Sequence, residues 1–178
     1  MSKVKVATLW FSGCSGCHMS LLDIDEVFIE LAARIELCNS PITDLKTFPE
    51  GGVDVTIIEG AVANEEHLHL VKEARAKSKI LIALGDCAVT GNVPGMRNGI
   101  PTDKLIEGIY GKETTTNGQL PYDVVPHLLD RVRPIHEVVP VEFFLHGCPP
   151  TPGVIAKAIL ALLDGKTPEL VGEDLKFG

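Results

Sequence analysis

The sequence predicts an α/β domain, a flavodoxin-like doubly wound sheet of five parallel strands in the order 2-1-3-4-5. Three observations predict it. Short apolar runs alternate with helical stretches along the 178 residues, the helical stretches carry apolar residues at three- and four-residue spacing, and a final capped helix follows the last apolar run. Strands that alternate with helices form parallel sheets covered on both faces. We see no internal repeat or change of composition, so we predict one domain over residues 1–178.

The first part of the chain predicts a strand, a long helix and a second strand. Residues 4–11 form the first apolar run, and residues 16–34 the first helix. The apolar residues of this helix share one stripe: Leu21, Ile24, Phe28, Leu31 and Ile35. A short second strand is predicted at 35–39, and residues 41–52 are predicted to form a loop.

The middle of the chain predicts another strand–helix–strand unit. Residues 53–58 form the third strand, and residues 80–85 form the fourth. Asn64 is a suitable N-cap for a helix that extends to about Lys77, because asparagine side chains accept hydrogen bonds from the first free backbone N–H groups. Acidic residues in its first turn and basic residues in its last turn agree with the helix dipole.

The last part begins with the least regular segment, residues 86–121, which is rich in glycine and proline. A short helix is predicted at 122–132 and the fifth strand at 138–145. Thr151 then caps a final helix that has Pro152 at its first position and Gly165 just past its end. Proline is favoured at the first position of helices and glycine just past their ends.

Four of the five cysteines follow predicted strands: Cys14, Cys17, Cys87 and Cys148. Residues just beyond the carboxyl ends of parallel strands converge on one edge of the sheet. We therefore expect these four thiols to face one crevice, with Glu59 between them. Four thiols at one edge predict a metal or iron–sulfur site, and the long gaps between them disfavour a small zinc module.

The cysteine pattern alone leaves several types of site open. The favoured one is a [4Fe-4S] cluster whose negative charge is stabilised by the N-terminus of the helix after Cys14-x2-Cys17. A four-thiolate zinc site usually has two close pairs, whereas Cys87 and Cys148 stand alone. A dithiol redox pair would use Cys14 and Cys17 only. The c-type haem string at Cys14–His18 is interpreted as a chance match, and four buried structural thiols are the remaining alternative.

Composition excludes several classes of function. The formal net charge is −8 and no basic run is present, which disfavours a nucleic-acid partner. No apolar stretch approaches the 18 residues of a transmembrane helix, and no export signal is recognised, so we expect a cytoplasmic protein. Cysteines in that compartment are usually reduced, which favours metal binding over disulfides.

A few other residues are candidates for structural or chemical roles. Cys38 is predicted to be a buried structural thiol. His18 is predicted to be a polar residue at a helix end, and His67 and His69 are predicted to lie on the surface. Glu59 closes an apolar strand beside the predicted site; an anchoring role is favoured over proton transfer, and both stay open.

Four segments resemble the small subunits of nickel–iron hydrogenases, and most closely those of the bidirectional NAD-linked group. They are Trp10-Phe11-Ser12-Gly13-Cys14-Ser15-Gly16-Cys17-His18-Met19-Ser20, Ile58-Glu59-Gly60-Ala61-Val62, Gly85-Asp86-Cys87-Ala88-Val89-Thr90-Gly91-Asn92 and His146-Gly147-Cys148-Pro149-Pro150. The related subunit of NADH:quinone oxidoreductase has adjacent cysteines where this chain has Cys14-x2-Cys17, which favours the hydrogenase. A ferredoxin- or F420-linked hydrogenase and a respiratory NADH:quinone oxidoreductase-like complex stay alternatives.

The resemblance implies an enzyme subunit and a ligand set. One [4Fe-4S] cluster would be held by Cys14, Cys17, Cys87 and Cys148, beside a nickel–iron centre in a large subunit. A diaphorase with FMN and further iron–sulfur clusters would complete H2 + NAD+ ⇌ NADH + H+. The active site itself would lie in the partner. We also expect residues 88–121 to form much of the large-subunit interface, since exposed apolar patches mark partner sites.

Overall fold

The predicted α/β architecture is confirmed by a computed structural model that describes residues 3–111 and 118–175. The strands within these residues are β1 (Val4–Trp10), β2 (Ile35–Asn39), β3 (Val53–Glu59), β4 (Val62–Asn64), β5 (Ser78–Leu84), β6 (Leu128–Arg133) and β7 (Phe143–Leu145). The α-helices are α1 (Gly16–Leu22), α2 (Val27–Arg34), α3 (Glu65–Lys77), α4 (Asp86–Thr90), α5 (Asn92–Gly95), α6 (Thr102–Tyr110) and α7 (Pro152–Leu163). Short 3-10 helices lie at Met96–Gly99, Ile135–Glu137 and Gly172–Leu175.

The main sheet has the order β2-β1-β3-β5-β7, and every neighbouring pair is parallel. Because β5 and β7 are the predicted fourth and fifth strands, this is the predicted order 2-1-3-4-5. The register places Trp10 opposite Glu59 and Glu59 opposite Leu84, and Leu84 is opposite Leu145. Four strands therefore end at the same level, at the edge where the sequence places the cysteines.

The core consists of two apolar layers on the two faces of this sheet, because successive strand residues point to opposite faces. One layer packs the sheet against α3 and α4 and contains Leu9, Ile58, Leu81, Val71, Ala74 and Val89. The other packs it against α1, α2 and α7 and contains Ile57, Ile82, Leu145, Leu21, Leu31 and Ile155. Both faces are covered, as the near-continuous apolar strands predict.

The predicted helix at 16–34 is wrong in one respect, because it is two helices. Helix α1 ends at Leu22 and α2 begins at Val27, and between them Asp25 has a left-handed φ of 51°. Aspartate visits this conformation more readily than most residues and is a weak helix former. The apolar stripe continues across the break, with Ile24 buried, so periodicity alone does not reveal it.

The predicted helix at 122–132 is wrong. Residues Leu128–Arg133 form strand β6, which pairs antiparallel with β4. The side chain of Asn98 bonds both backbone groups of Val132, with Nδ2 2.9 Å from its oxygen and Oδ1 2.7 Å from its nitrogen. These distant partners stabilise an extended backbone that the local sequence does not specify.

The predicted fifth strand at 138–145 is too long, and only Phe143–Leu145 pairs with β5. Pro140 lies in the part that does not pair, and proline cannot donate to a ladder. In the segment 86–121, the described residues 86–111 and 118–121 contain four short helical pieces; they are α4, α5, Met96–Gly99 and α6. Among the helices of the described residues, none is long and apolar enough to cross a membrane.

The two predicted helix caps are confirmed. Asn64 Oδ1 accepts a hydrogen bond from the backbone N–H of His67 at 2.8 Å, at the start of α3. Thr151 Oγ1 accepts one from Val154 at 3.5 Å, and Pro152 is the first residue of α7. Both helices therefore begin where the sequence predicts.

Candidate metal centre

Each of the four predicted site cysteines lies just beyond a strand, at the edge of the sheet where four strands end at the same level. Cys14 and Cys17 follow β1, and Cys17 is in the first turn of α1. Cys87 is in α4, which begins directly after β5, and Cys148 follows β7. The structure therefore places them at one edge of the sheet, as the sequence predicts.

The loops of Cys87 and Cys148 are joined by three hydrogen bonds. The backbone N–H of Gly85 donates to Leu145 O at 2.7 Å, and that of Asp86 donates to Gly147 O at 2.9 Å. In return, the backbone N–H of Gly147 donates to Asp86 Oδ1 at 2.8 Å. This reciprocal contact holds the loops of the third and fourth cysteines together.

The absence of a side chain at Gly85 allows Cys17 to approach the β5–α4 turn. A Cβ atom at this position would lie 2.2 Å from Cys17 Sγ, and the residue has a φ of 82°. Both facts require glycine, since a side chain would collide with the thiol and left-handed backbone is costly for other residues. Gly85 thus brings the Cys17 thiol against the loop that carries Cys87.

Glu59 anchors the turn that carries the first two cysteines. This buried carboxylate accepts hydrogen bonds from the backbone N–H groups of Cys17, at 3.4 Å, and His18, at 2.8 Å, and it also contacts His18 Nδ1. Ser15, the N-cap of α1, has a φ of 64° and makes no side-chain cap bond. Glu59, at the end of β3, therefore caps the N-terminus of α1, where a negative charge is favourable because of the helix dipole. This is the anchoring role favoured from the sequence.

A further contact holds α1 against the last cysteine loop. Ser20 Oγ donates a hydrogen bond to Pro150 O at 2.6 Å, and the pair is buried. On the opposite side of the turn, the backbone N–H of Ser12 donates to Ala61 O at 3.1 Å, and that of Ala61 donates to Ser12 O at 2.8 Å. The turn after β1 is thus attached both to the end of β3 and to the loop after β7.

Burial and neighbouring charges perturb two of the four thiols. Burial raises the pKa of the Cys17 thiol strongly, and the charges of Glu59, Cys87, Cys14 and Cys148 raise it further. The pKa of Cys87 is also raised, first by burial and then by Cys148 and Cys14. Cys17 and Cys87 therefore ionise less readily than free thiols, and a bound cationic centre would offset both causes.

Two N–H groups point at the more exposed thiols. The backbone N–H of Gly16 donates to Cys14 Sγ at 3.4 Å, and Asn92 Nδ2 donates to Cys148 Sγ at 3.6 Å. Thiolate ligands, helix-end N–H groups and N–H···S bonds are the environment in which iron–sulfur clusters are held. The four thiols and these N–H donors therefore fit such a cluster. Within residues 3–111 and 118–175, no group of three His, Cys, Asp or Glu side chains is arranged around a single metal-ion position.

The remaining candidates lie apart from the four thiols or differ from expectation. Cys38 is half-buried on the edge strand β2, and its Sγ donates to Glu36 O at 3.5 Å. His69 is exposed as predicted, whereas the prediction for His67 is wrong. His67 is partly buried and stacks on Phe11 with ring centroids 4.9 Å apart, and burial lowers its pKa. His18 is a buried partner of Glu59, at the helix end where it is predicted.

Sequence reasoning missed three residues that organise the site: Asp86, Asn92 and Ser20. Asp86 could have been found, because it stands directly after a predicted strand and beside Cys87. Asn92 and Ser20 act on a loop that is distant in the chain, and no spacing rule connects them with Cys148 or Pro150.

Residues 14–162, which include all four thiols, match the family described as NADH ubiquinone oxidoreductase, 20 Kd subunit. The chain belongs to this family. Among solved structures, it is similar to a chain of an NAD+-reducing [NiFe]-hydrogenase in the H2-reduced state. That chain is 37% identical, with a TM-score of 0.94, and the match covers 99% of this chain and 100% of that one.

Two curated relatives of this member of the 20 Kd subunit family are hydrogenase subunits. The chain is 43% identical to a vhu subunit of the F420-non-reducing hydrogenase of Methanocaldococcus jannaschii, over 94% of this chain and 58% of that protein. It is 37% identical to the delta subunit of the NAD-reducing hydrogenase HoxS of Cupriavidus necator, over 92% of this chain and 80% of that protein. The chain therefore spans less than two thirds of the length of the first relative.

Proposed function

We propose that the chain is the electron-transfer small subunit of an NAD-reducing nickel–iron hydrogenase, with residues 1–178 as one iron–sulfur domain. One [4Fe-4S] cluster would be held by Cys14, Cys17, Cys87 and Cys148. The observation that carries the proposal is the placement of these four thiols at one edge of the sheet, in a fold that matches an NAD+-reducing [NiFe]-hydrogenase chain at a TM-score of 0.94. When bound, the cluster would accept and release one electron at a time.

The residues of this chain would bind the cluster and fix its surroundings. Cys17 provides the buried thiolate, and Glu59 holds the turn that positions Cys17 and Cys14. Asp86 and Gly147 set the distance between the other two ligands. Such a prearranged set of ligands needs little movement on electron transfer, which keeps the reorganisation cost low.

The nickel–iron centre would be in a large subunit, and the acceptor would be reached through a diaphorase that carries FMN and further iron–sulfur clusters. Oxidation of H2 releases two protons and two electrons, and reduction of NAD+ consumes two electrons and one proton. The net reaction is H2 + NAD+ ⇌ NADH + H+. The chain would conduct the electrons between the two centres, in the cytoplasm.

Exposed apolar residues support a large partner beside the thiols. Trp10 ends β1, and Met19 and Leu22 lie on α1. A second group lies within the predicted interface 88–121, of which residues 112–117 are outside the described part: Val93, Met96, Ile100 and Ile109. We propose that the large subunit covers both groups, because exposed apolar patches of this kind mark interfaces.

A hydrogenase with another electron acceptor is the second candidate. It is favoured by the 43% identity to a subunit of an F420-non-reducing hydrogenase. Ferredoxin is one alternative acceptor that this chain would serve equally well. Assays of the purified complex with H2 and, in turn, NAD+, F420 and ferredoxin distinguish the candidates; reduction of ferredoxin alone would contradict the NAD linkage.

The first experiment is the iron, acid-labile sulfide and zinc content of the anaerobically purified protein. About four irons and four sulfides per chain are expected. One zinc without sulfide would overturn the proposal and favour a zinc-stabilised binding module.

The second experiment compares Cys17→Ala with Cys38→Ala in the complex. Cys17→Ala should abolish H2-dependent NAD+ reduction, and Cys38→Ala should leave it intact because this thiol is on the remote edge strand. Full activity in Cys17→Ala would contradict the proposal. A dithiol reductase that uses only Cys14 and Cys17 would instead retain its activity in Cys87→Ala and Cys148→Ala.

A further inference from the structure

Asn92 occupies an unusual backbone position beside the fourth cysteine. It is the first residue of α5, directly after Gly91, and it has a φ of 27°. Its Nδ2 atom lies 3.6 Å from Cys148 Sγ, across the gap between the α4–α5 turn and the loop after β7. Positive φ is uncommon outside glycine, and asparagine is among the residues that adopt it most readily. This backbone conformation accompanies a side chain aimed at a thiol that is remote in sequence.

We infer that Asn92 is a positioning residue that donates a hydrogen bond to the Cys148 thiolate and raises the reduction potential of the cluster. The inference rests on the proposed function, because it needs a cluster at this site. Reduction adds negative charge to the cluster and its sulfur ligands. A donor that faces one of those sulfurs stabilises the reduced form more than the oxidised form.

Asn92 differs from the other N–H groups near the thiols because its donor is a side chain. Cys14 receives its bond from the backbone of Gly16 at 3.4 Å. Among the thiol contacts found in the described residues, the bond from Asn92 is the one that substitution removes while every backbone donor stays in place. The effect of one N–H···S bond on the cluster is therefore accessible by mutation.

Two variants separate the hydrogen bond from the fold. Asn92→Gly removes the donor, and a φ of 27° is compatible with glycine, so folding should be retained. Asn92→Asp keeps the shape of the side chain but replaces the donor with an acceptor and adds a negative charge. Thr90→Ala is the matched control, since Thr90 Oγ1 donates to Asp86 O at 2.9 Å within α4 and makes no thiol contact.

The experiment is a redox titration of the cluster, followed by EPR, in the anaerobically purified complex. Asn92→Gly should lower the midpoint potential, and Asn92→Asp should lower it further. For Asn92→Asp we expect about a tenfold fall in the equilibrium constant for one-electron reduction, which corresponds to about 59 mV. Thr90→Ala should keep the wild-type potential. Wild-type potentials in both Asn92 variants would overturn the inference.

Resonance Raman spectra of the oxidised cluster give a second readout, which does not depend on reduction. The Fe–S(Cys) bands of the wild type should shift on exchange into D2O through the N–D···S bond, and part of this shift should be lost in Asn92→Gly. An unchanged shift would count against the hydrogen bond. Iron and sulfide analysis keeps the two proposals separate: a wild-type protein without a cluster contradicts the proposed function, whereas a complete cluster with unaltered potentials contradicts only the role of Asn92.

Discussion

The carboxylate of Glu59 accepts a hydrogen bond from the backbone N–H of His18 at 2.8 Å and contacts Nδ1 of the same residue. Glu59 ends β3 and His18 lies in the first turn of α1, so the contact joins the centre of the sheet to the helix that carries Cys17. One buried side chain thus supplies the cap that α1 lacks in its own sequence.

Replacing Glu59 by Gln should weaken this joint. The amide keeps the shape of the side chain but has one acceptor oxygen instead of two, so at least one buried N–H group loses its partner. We expect the free energy of unfolding to fall by about 1–3 kcal/mol, with a parallel loss of iron content. Chemical denaturation and iron analysis measure the two effects.

Glu142→Gln is the matched control for that experiment. Glu142 also accepts a backbone hydrogen bond, from Leu81 at 2.7 Å, but Leu81 is in the middle of β5, three residues before the strand ends at Leu84. The variant Glu142→Gln should lower the free energy of unfolding without altering the iron content. Equal iron loss in both variants would mean that general destabilisation, and not the position of the Cys17 turn, determines cofactor binding.

Gly85→Ala should be far more damaging than Gly91→Ala, although the two glycines have φ values of 82° and 86°. The added Cβ atom meets Cys17 Sγ at 2.2 Å in the first variant and meets nothing within 4 Å in the second. Gly91→Ala should cost about 1–2 kcal/mol from backbone strain alone. Gly85 also has a ψ of 163°, against −24° at Gly91, so Gly85→Ala adds greater backbone strain to the collision. Thermal unfolding measures both effects together, and iron content reports the displacement of the Cys17 thiol. Similar iron contents would contradict the close approach of Cys17 to this turn.

Asp54 should contribute to stability at neutral pH and lose that contribution in acid. Its pKa is lowered by the hydrogen bond from Lys79 Nζ, at 2.7 Å, and by the backbone N–H of Lys5, at 2.8 Å. A lowered folded-state pKa stabilises the protein above the unfolded pKa, about 3.9, and the gain disappears as pH falls through the folded value. Asp54→Asn should therefore lower stability at pH 7 and flatten the acid limb below about pH 4. Urea midpoints measured across this pH range check the prediction. If the midpoint depends on pH equally in the wild type and in Asp54→Asn, the contribution of Asp54 is contradicted.

A cavity of about 300 Å³ lies between the sheet and helices α2 and α7. Its lining is almost entirely aliphatic and includes Val55, Leu31 and Leu162. Val55→Ile adds one methylene group to this space, so we expect about 0.8 kcal/mol of added stability. Val62→Ile is the contrasting variant, because Val62 is fully buried and does not line the cavity, and overpacking there should cost about 1–3 kcal/mol. Calorimetry should show opposite changes in melting temperature. A lower melting temperature in Val55→Ile would contradict the prediction that the cavity has space for the added methylene group.

Patterns that recur along the chain predicted the sheet and the edge on which Cys14, Cys17, Cys87 and Cys148 meet. Buried parallel strands are continuous apolar runs in the sequence. When strands and helices alternate, the carboxyl ends of the strands lie at the same edge of the sheet. The caps at Asn64 and Thr151 were predictable for the same reason, since each acts on residues three positions away. These features are local or repetitive.

The features that sequence reasoning missed depend on partners far along the chain. Strand β6 is extended because Asn98 bonds Val132 and because β4 lies beside it. The break after α1 depends on one left-handed residue, Asp25, inside an unbroken apolar stripe. Asn92 meets Cys148 only after β7 has joined the sheet. No window of neighbouring residues contains that information.

The pairing of β7 with β5, in which Phe143 lies opposite Ile82, also sets the order of events during biosynthesis. A ribosome produces Cys14, Cys17 and Cys87 well before Cys148, and the nascent chain lacks its fourth thiol at the sheet edge until that last strand has emerged and docked. A cofactor that needs all four thiols can therefore be loaded only after the residues that follow β7 have been translated. Loading would then occur on a sheet whose five strands have already been made, unlike the case of a zinc finger, in which the metal itself drives folding.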